Sequence, residues 1–386
     1  MTLAAVVMGV AGIILTGGFV QDIFFQLGEA TIHSQTGHLQ IAKGEFFGSG
    51  SRRPEAFLID KPEQLKKAIA SDPSVTLTMG RLNFQGLLNN GRSDFGIVGE
   101  GIEANTEAKL GSFVAYIQGR ALTDADQQGV TLGEGVAKAL KLAPGDSVTL
   151  IANTPEGAMN TLDLEVIGVF RSFSKDYDGR TVRITLPAAQ DLIGTPGVNV
   201  IVAGLKQTAD TESSAARLES IAKQTGLELR RWTELSDFYF KTVDLYERQF
   251  GVLQLIVLVM VLLSVTNTVN MTVFERQGEF GTVRALGNRS RQVFVMVLTE
   301  SLLLGLIGAV IGIALGSAIA ALIGFIGIPM PPPPNSNVGY TAYIRIVPTI
   351  VLNAAFVGIA AAFIASLLPG WRVSRMLIVD ALRHNV

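Results

Sequence analysis

The charged stretch FERQGEFGTVRALGN, Phe274 to Asn288, separates two apolar runs that are each long enough to cross a lipid bilayer. The run before it, Gly251 to Val273, holds no ionisable residue, and the run after it, Val293 to Ile328, holds only Glu300. One Arg or Glu at a bilayer centre costs roughly 2.5 to 3.5 kcal/mol on insertion scales. Glu275, Arg276, Glu279 and Arg284 together therefore force the insert into water. It reads as a loop on one membrane face, and which face it occupies decides the function.

Two further apolar runs, Leu3 to Val20 and Ile346 to Leu368, bring the number of candidate spans to four. The run Val293 to Ile328 would reach about 54 Å as a helix, more than a hydrocarbon core of about 30 Å, so it must tilt or emerge near Gly324 and Gly327. With 48% hydrophobic and 17% charged residues, the chain is too apolar for an ordinary soluble protein and too charged to lie wholly in lipid. Arg276, Arg284, Arg289 and Arg291 lie in the segment between the second and third runs, and Arg372, Arg375 and Arg383 follow the fourth. The loop Pro329 to Arg345 carries only Arg345. Positive charge concentrates on the cytoplasmic side, so the insert and the tail read as cytoplasmic and the segment from about Gln21 to Arg248 as external. Trp371, beside Pro369-Gly370, fits an interfacial anchor at a helix break. The first run also admits a signal-peptide reading, against which stands the lack of any Lys or Arg before Lys43. It starts almost at Met1, so a cytoplasmic lead-in helix is absent or lies upstream.

The external segment reads as mixed α and β. GHLQI alternates like a strand, Asp60 and Pro62 open a helix through EQLKKAIAS, and Asn89-Asn90-Gly91 marks a hairpin. LGEGVAKALKL is a short helix, APGD a turn, and SVTLIA and TLDLEVIGVF are strands; PAAQDLIG and SSAARLESIAKQ read as helices, VNVIVAGL and LELRRW as strands. Two α+β lobes are expected, the second inserted in the first. The segments Gln21 to Ile32 and Thr233 to Phe250 continue the adjacent spans as a paired stalk or as simple amphipathic anchors.

Catalysis has little to stand on. His33 and His38 are five residues apart, not the i, i+4 spacing of two ligands on one helix face, and His384 stands far off, so no metal site is expected. There is no G-x-x-x-x-G-K-[ST] loop, no G-x-S-x-G elbow and no cysteine, which excludes disulfides and thiolate sites. The net charge of -2, without a polybasic cluster, argues against nucleic acid. Glu300 is the one ionisable group inside a span, read as structural or coupling rather than as a proton carrier. Gly308, Gly312 and Gly316 form a doubled G-x-x-x-G ridge for close helix packing, within the chain or across a dimer. Pro331 to Pro334 predicts a stiff turn.

These residues carry a family resemblance. FERQGEFGTVRALGNRSRQVFVMVLTESLLLG resembles the "ER-x-x-E-x-G-x-x-x-A-L-G … E-x-x-x-L" segment of MacB/FtsX/LolC-LolE type ABC transporter permeases, matched at Glu275, Arg276, Glu279, Gly281, Ala285, Leu286, Gly287 and Glu300. LGEGVAKALKLAPGDSVTL is similar to the family's outer-domain signature, and LLPGWRVSRMLIVDALRHN to its C-terminal ending, with Ser374 and Ile378 in place of the usual Ala and Pro. TGHLQIAKGEFF is similar to the first outer strand of the lipoprotein-releasing branch. The resemblance implies a membrane α-helical fold with four transmembrane helices and a large α+β periplasmic domain on a helical stalk, in a bacterial inner membrane. It implies a non-catalytic chain with no cofactor of its own, driven by a cytoplasmic ABC ATPase that binds ATP and Mg and pushes on the insert, where Arg284 joins the matched residues. Further implied partners are a second permease copy, identical or related, and a periplasmic carrier, fusion protein or lipoprotein. A rival reading is an FtsX-like regulator that activates a periplasmic hydrolase without moving cargo; a membrane-bound enzyme is the other.

The expected division runs 1-24, first span; 25-119, porter-like lobe; 120-197, inserted lobe; 198-232, return of the first lobe; and 233-250, stalk. The second span, 251-273, then leads through the coupling segment, 274-290, to the third span, 291-328. The external loop, 329-345, the fourth span, 346-369, and the cytoplasmic tail, 370-386, complete it.

Overall fold

A computed structural model describes residues 2–48, 53–111, 113–332, 336 and 339–376. Pro333, Pro334, Ile378, Arg383 and His384, used above, lie outside the described residues. The first helix, α1 (Thr2–Thr31), runs into a wide π turn at Ile32–Thr36 and then strand β1 (Leu39–Lys43). Helix α2 (Pro62–Ile69) precedes the hairpin of β2 (Val75–Asn89) and β3 (Asp94–Ile102), which α3 (Ala104–Leu110) and β4 (Ala115–Gly119) follow. Next come β5 (Gly129–Gly133), α4 (Glu134–Leu140), β6 (Ser147–Asn153), β7 (Met159–Arg171), α5 (Lys175–Asp178), β8 (Thr181–Thr185) and α6 (Leu186–Ile193). The α+β part closes with β9 (Val200–Leu205), α7 (Thr211–Gln224), β10 (Leu227–Arg231) and α8 (Trp232–Leu235). The rest is helical: α9 (Asp237–Glu275), α10 (Gln277–Ala285), α11 (Ser290–Ile326), a small pair β11 (Ile328–Met330) and β12 (Tyr340–Ala342), and α12 (Pro348–Ser374).

The chain divides into two compact units. The helical unit comprises Met1–Phe25, Thr242–Met330 and Thr341–Val386, and the α+β unit comprises Gln26–Lys241 and Pro331–Tyr340.

In the α+β unit ten strands share one sheet in the order β10-β1-β9-β2-β3-β8-β5-β7-β4, with β6 bridging β2 and β7. The β3–β8 and β5–β7 pairs are parallel and the other pairs antiparallel. The Asn-Asn-Gly turn closes the β2–β3 hairpin as its chemistry requires: Gly91 sits at φ +81° and the Asn90 Oδ1 accepts from the Arg92 and Ser93 amides at 3.0 and 2.9 Å. Strand β9 is buried along its whole length, so VIVAGL reads as an unbroken apolar run. The expected lobe limits at 120 and 197 coincide with no break in the sheet, because β3 hydrogen-bonds β8 across them. Three apolar clusters among the described residues back the sheet, one built on Leu82, Leu132, Val166 and Ile184, one on Leu39, Ile69, Ile201 and Leu218, and a smaller one on Phe46, Met79, Leu110 and Val202. Each such fully buried aliphatic side chain contributes about 1.5–3 kcal/mol.

In the helical unit α1, α9, α11 and α12 are all long and apolar enough to cross a membrane. Their shared core is small-residue and aliphatic: Val6, Val10 and Ile14 of α1, Val265 and Val269 of α9, Ala309 of α11, Ala362 and Ala365 of α12. Two sequence expectations need correction here. The insert is not a loop but mostly helix, interrupted only at Arg276, because Phe280 provides an apolar side that packs into this core. The break at Pro369 does not occur, and α12 runs through it to Ser374. A proline is tolerated within a membrane helix whose freed carbonyl is met by local adjustment and neighbouring helices, and the adjoining Gly370 lies close to Phe294 and Val297 of α11. α11 itself is unbroken for 37 residues and stops at Gly327, whose φ of +69° ends the helix.

Candidate functional site

Arg276 is the hinge of the insert. Its backbone, at φ −102° and ψ 18°, leaves the helical region between α9 and α10. Its side chain then closes three contacts at once. Nη1 donates to Glu300 Oε1 and Oε2 at 2.9 and 3.0 Å, Nε donates to Glu279 Oε2 at 2.9 Å, and the guanidinium lies 5.6 Å from the centre of the Phe280 ring. Charge-assisted bonds of this kind are short and directional. The acid that the apolar run α11 carries is thus paired with the arginine of the insert, which answers the cost of placing it there.

The buried side of α10 consists of Gly278, Phe280 and Gly281. Its far side is tied to the end of α12: Gln277 Nε2 donates to Met376 Sδ at 2.9 Å and Arg284 Nη1 to the Met376 carbonyl. Glu275, Glu279, Ala285, Leu286, Gly287 and Asn288 are exposed. Leu286 is the extreme case at 83% exposure, held out by Gly287, whose φ of +102° turns the chain so that the Asn288 amide reaches back to the Val283 carbonyl at 3.3 Å. The sequence-predicted residues thus sort into a bracket (Arg276, Glu279, Glu300), a seat (Gly281, Arg284) and an exposed tip (Glu275, Ala285, Leu286, Gly287).

Gly308, Gly312 and Gly316 lie elsewhere, along the face of α11 that meets α1. A Cβ at Gly312 would stand 2.8 Å from Val10 Cβ and 2.9 Å from the Val7 carbonyl oxygen, and one at Gly308 2.9 Å from Val6. The ridge brings two backbones together within the chain.

Sequence reasoning missed Asp22. It is buried at 1% exposure on α1, where Oδ1 accepts from Arg345 Nε at 2.9 Å and Oδ2 from the Tyr343 amide at 2.8 Å, while Arg345 covers the Phe25 ring at 3.6 Å. Arg345, noted only as the lone charge of its loop, was the available signal. Among the described residues of the helical unit, Arg276–Glu300 and Arg345–Asp22 are thus arginine–carboxylate clasps that join segments remote in sequence. Among the described residues no group of three or more His, Asp or Glu is placed to share a metal ion.

Four apolar helices, a charged helical insert clasped to one of them and a ten-stranded α+β unit define a membrane protein of the permease type. Two family models match in tandem: MacB-like periplasmic core domain over residues 1–221 and FtsX-like permease C-terminal over residues 251–378. The chain belongs to the MacB-like periplasmic core domain family, and is of the MacB/FtsX/LolC-LolE permease type. It is 23% identical over 268 residues to the lipoprotein-releasing system transmembrane protein LolE of Haemophilus influenzae, covering 67% of this chain and 64% of that one. It is also 22% identical over 340 residues to LolC of Xylella fastidiosa, covering 82% and 79%. The crystal structure of the periplasmic region of MacB from Actinobacillus actinomycetemcomitans matches with a TM-score of 0.39 at 19% identity, over 53% of this chain and 92% of that one. The match covers 51% of the length of an uncharacterized ABC transporter permease of Methanocaldococcus jannaschii and 64% of that of LolE, less than two thirds in each case.

Proposed function

We propose that this chain is the membrane subunit of an ABC transporter whose ATPase is a separate polypeptide. The ATPase docks on the exposed tip of the insert, and its movement is passed through the Arg276 bracket into the helical unit and on to the α+β unit, which shifts a lipoprotein or other amphiphile at the outer face of the inner membrane. The observation that carries this reading is the pairing of opposites in the insert: Arg276 fastens it to α11 at 2.9 Å while Leu286 stands 83% exposed at its end. A large apolar side chain held out on a helix end, on the face that the arginine distribution assigns to the cytoplasm, is suited to a pocket on another protein. The names of the relatives support the direction: lipoprotein-releasing system for LolE and LolC, and export ATP-binding/permease for MacB. The sequence given holds no Walker loop, and in this reading the energy comes from the ATPase, which binds ATP and Mg. A second permease copy, identical or related, completes the assembly.

Affinity purification of the full chain from its native membranes tests the reading. An ABC ATPase should co-purify with the wild type and be lost with Leu286→Asp, while the level of membrane-inserted chain is unchanged. Equal ATPase recovery with both proteins would overturn the docking assignment, and identification of a co-eluting lipoprotein or lipid would name the substrate class.

A further inference from the structure

The outer end of α1 stops in an unusual way. The wide turn Ile32–Thr36 that continues it holds His33 as its basic residue, and His33 is engaged with Glu29 and the Leu110 carbonyl rather than with the turn's last carbonyls, those of Ser34 and Gln35. Such carbonyls bear the partial negative charge of the helix C-terminus and call for a cation or another donor. Two buried arginines from distant strands supply it. Arg183 Nη2 of β8 donates to the Ser34 carbonyl at 3.2 Å, and Arg81 Nη1 of β2 donates to the Gln35 carbonyl.

Both arginines are almost fully buried, at 2% and 3% exposure, and the network around them is balanced in charge. Arg81 pairs with Glu107 through Nε at 3.0 Å and Nη2 at 2.5 Å. Arg183 pairs with Glu100 at 3.1 Å, and Tyr177 sits between the two, accepting from Arg183 Nη2 at 2.8 Å and donating to Glu100. The Arg183 guanidinium also lies 5.2 Å from the Phe170 ring centre. Burial pushes the Glu107 carboxyl up, but Arg81 and Arg183 outweigh it and hold the group below its ordinary range, so it stays ionised. An apolar core would join two strands to a helix end without desolvating four charges. What the charges add is direction, since the guanidinium fork fixes donors on specific carbonyls. On its other side the same turn is held closely: a Cβ at Gly37 would stand 2.3 Å from Val202 of β9.

We infer that Arg81 and Arg183 are positioning residues for coupling: they cap the end of α1 from β2 and β8, so that a displacement of this helix end is delivered to those two central strands together. The inference rests on the mechanical reading proposed above. A neutral core contact would allow the turn to slide, whereas two directional caps on adjacent carbonyls make it move with the sheet.

The test uses the full chain in lipid nanodiscs, alone and with its ATPase, and reads amide hydrogen exchange. Arg183→Met alone would strand the Glu100 charge, so the informative variant is Arg183→Met with Glu100→Gln, and Arg183→Lys is the conservative control. In the paired variant, exchange at residues 33–37 should rise about tenfold while β2, β8 and β9 stay within about twofold of wild type, with Arg183→Lys in between. In the ATPase complex, ATP should change exchange in β2 and β8 of the wild type but not of the paired variant. Unchanged exchange at 33–37, an equal rise throughout the sheet, or undiminished transmission of the ATP effect would each overturn the inference. The capping measurement needs no ATPase, so failure to recover one would sink the functional reading and leave the cap to be judged on its own.

Discussion

One guanidinium decides how the insert sits. Arg276 and Glu300 are both partly exposed, and an ion pair at such exposure contributes only about 0–1 kcal/mol. Glu300→Gln is therefore expected to leave the thermal midpoint of the purified chain nearly unchanged while weakening stimulation of the partner ATPase severalfold. A large fall in midpoint with coupling intact would assign the pair to stability alone. His38 gives the pH dependence. It lies at 2% exposure, with Nδ1 accepting from the Leu205 amide at 3.2 Å and Nε2 facing Thr208 Oγ1 at 3.3 Å. Burial, helped by the charge on His33 and opposed by Glu29, pushes it down to about 4 from an ordinary value of 6.5. Between those values the unfolded chain takes up a proton that the folded chain refuses. The stability is thus fully present above pH 6.5 and falls by up to about 3 kcal/mol as the pH drops toward 4. Denaturant titrations across that range should show the loss in the wild type and a flatter profile in His38→Gln.

At the scale of elements, the glycine ridge of α11 makes a contrast that thermal unfolding in detergent can read. Gly312→Ala places a methyl against Val10 and the Val7 carbonyl, where backbone must move, and should destabilise the helical unit by about 1–3 kcal/mol. Gly324→Ala, with nothing within 4 Å, should be neutral. Equal effects at the two sites would refute the close α1–α11 approach. The four spans, the β2–β3 hairpin and the strand at 200–205 were legible because each rests on local chemistry: apolar length, an Asn-Gly turn, a run of Val and Ile. What was not legible depended on partners remote in sequence. Phe280 makes a helix of an insert whose Gly278 and Gly281 argue against one, and neighbouring helices carry α12 through Pro369. Arg183 gave no sign in TVRIT that it would reach a carbonyl 149 residues away. The sequence singles these residues out as one group, and their division into clasp, seat and exposed tip depends on contacts with α11 and Met376 that no local pattern carries.

For the whole molecule, each unit follows a different physical rule. The α+β unit is held by three apolar clusters among the described residues, with the Arg81–Glu107 and Arg183–Glu100 pairs buried inside it. The helical unit leaves many large apolar side chains of α9, α11 and α12 exposed, as helices suited to cross a membrane would, and its helices are packed through small residues, with Arg276–Glu300 and Arg345–Asp22 as clasps. The central claim is that the charged insert faces the cytoplasm and receives an ATPase there. The chain contains no cysteine, so Leu286→Cys introduces a single reporter. Labelling with a membrane-impermeant maleimide should modify it in inverted inner-membrane vesicles but not in intact spheroplasts, and bound ATPase should protect it. Modification from the outer face, or full reactivity of the vesicles in the presence of the ATPase, would contradict the account.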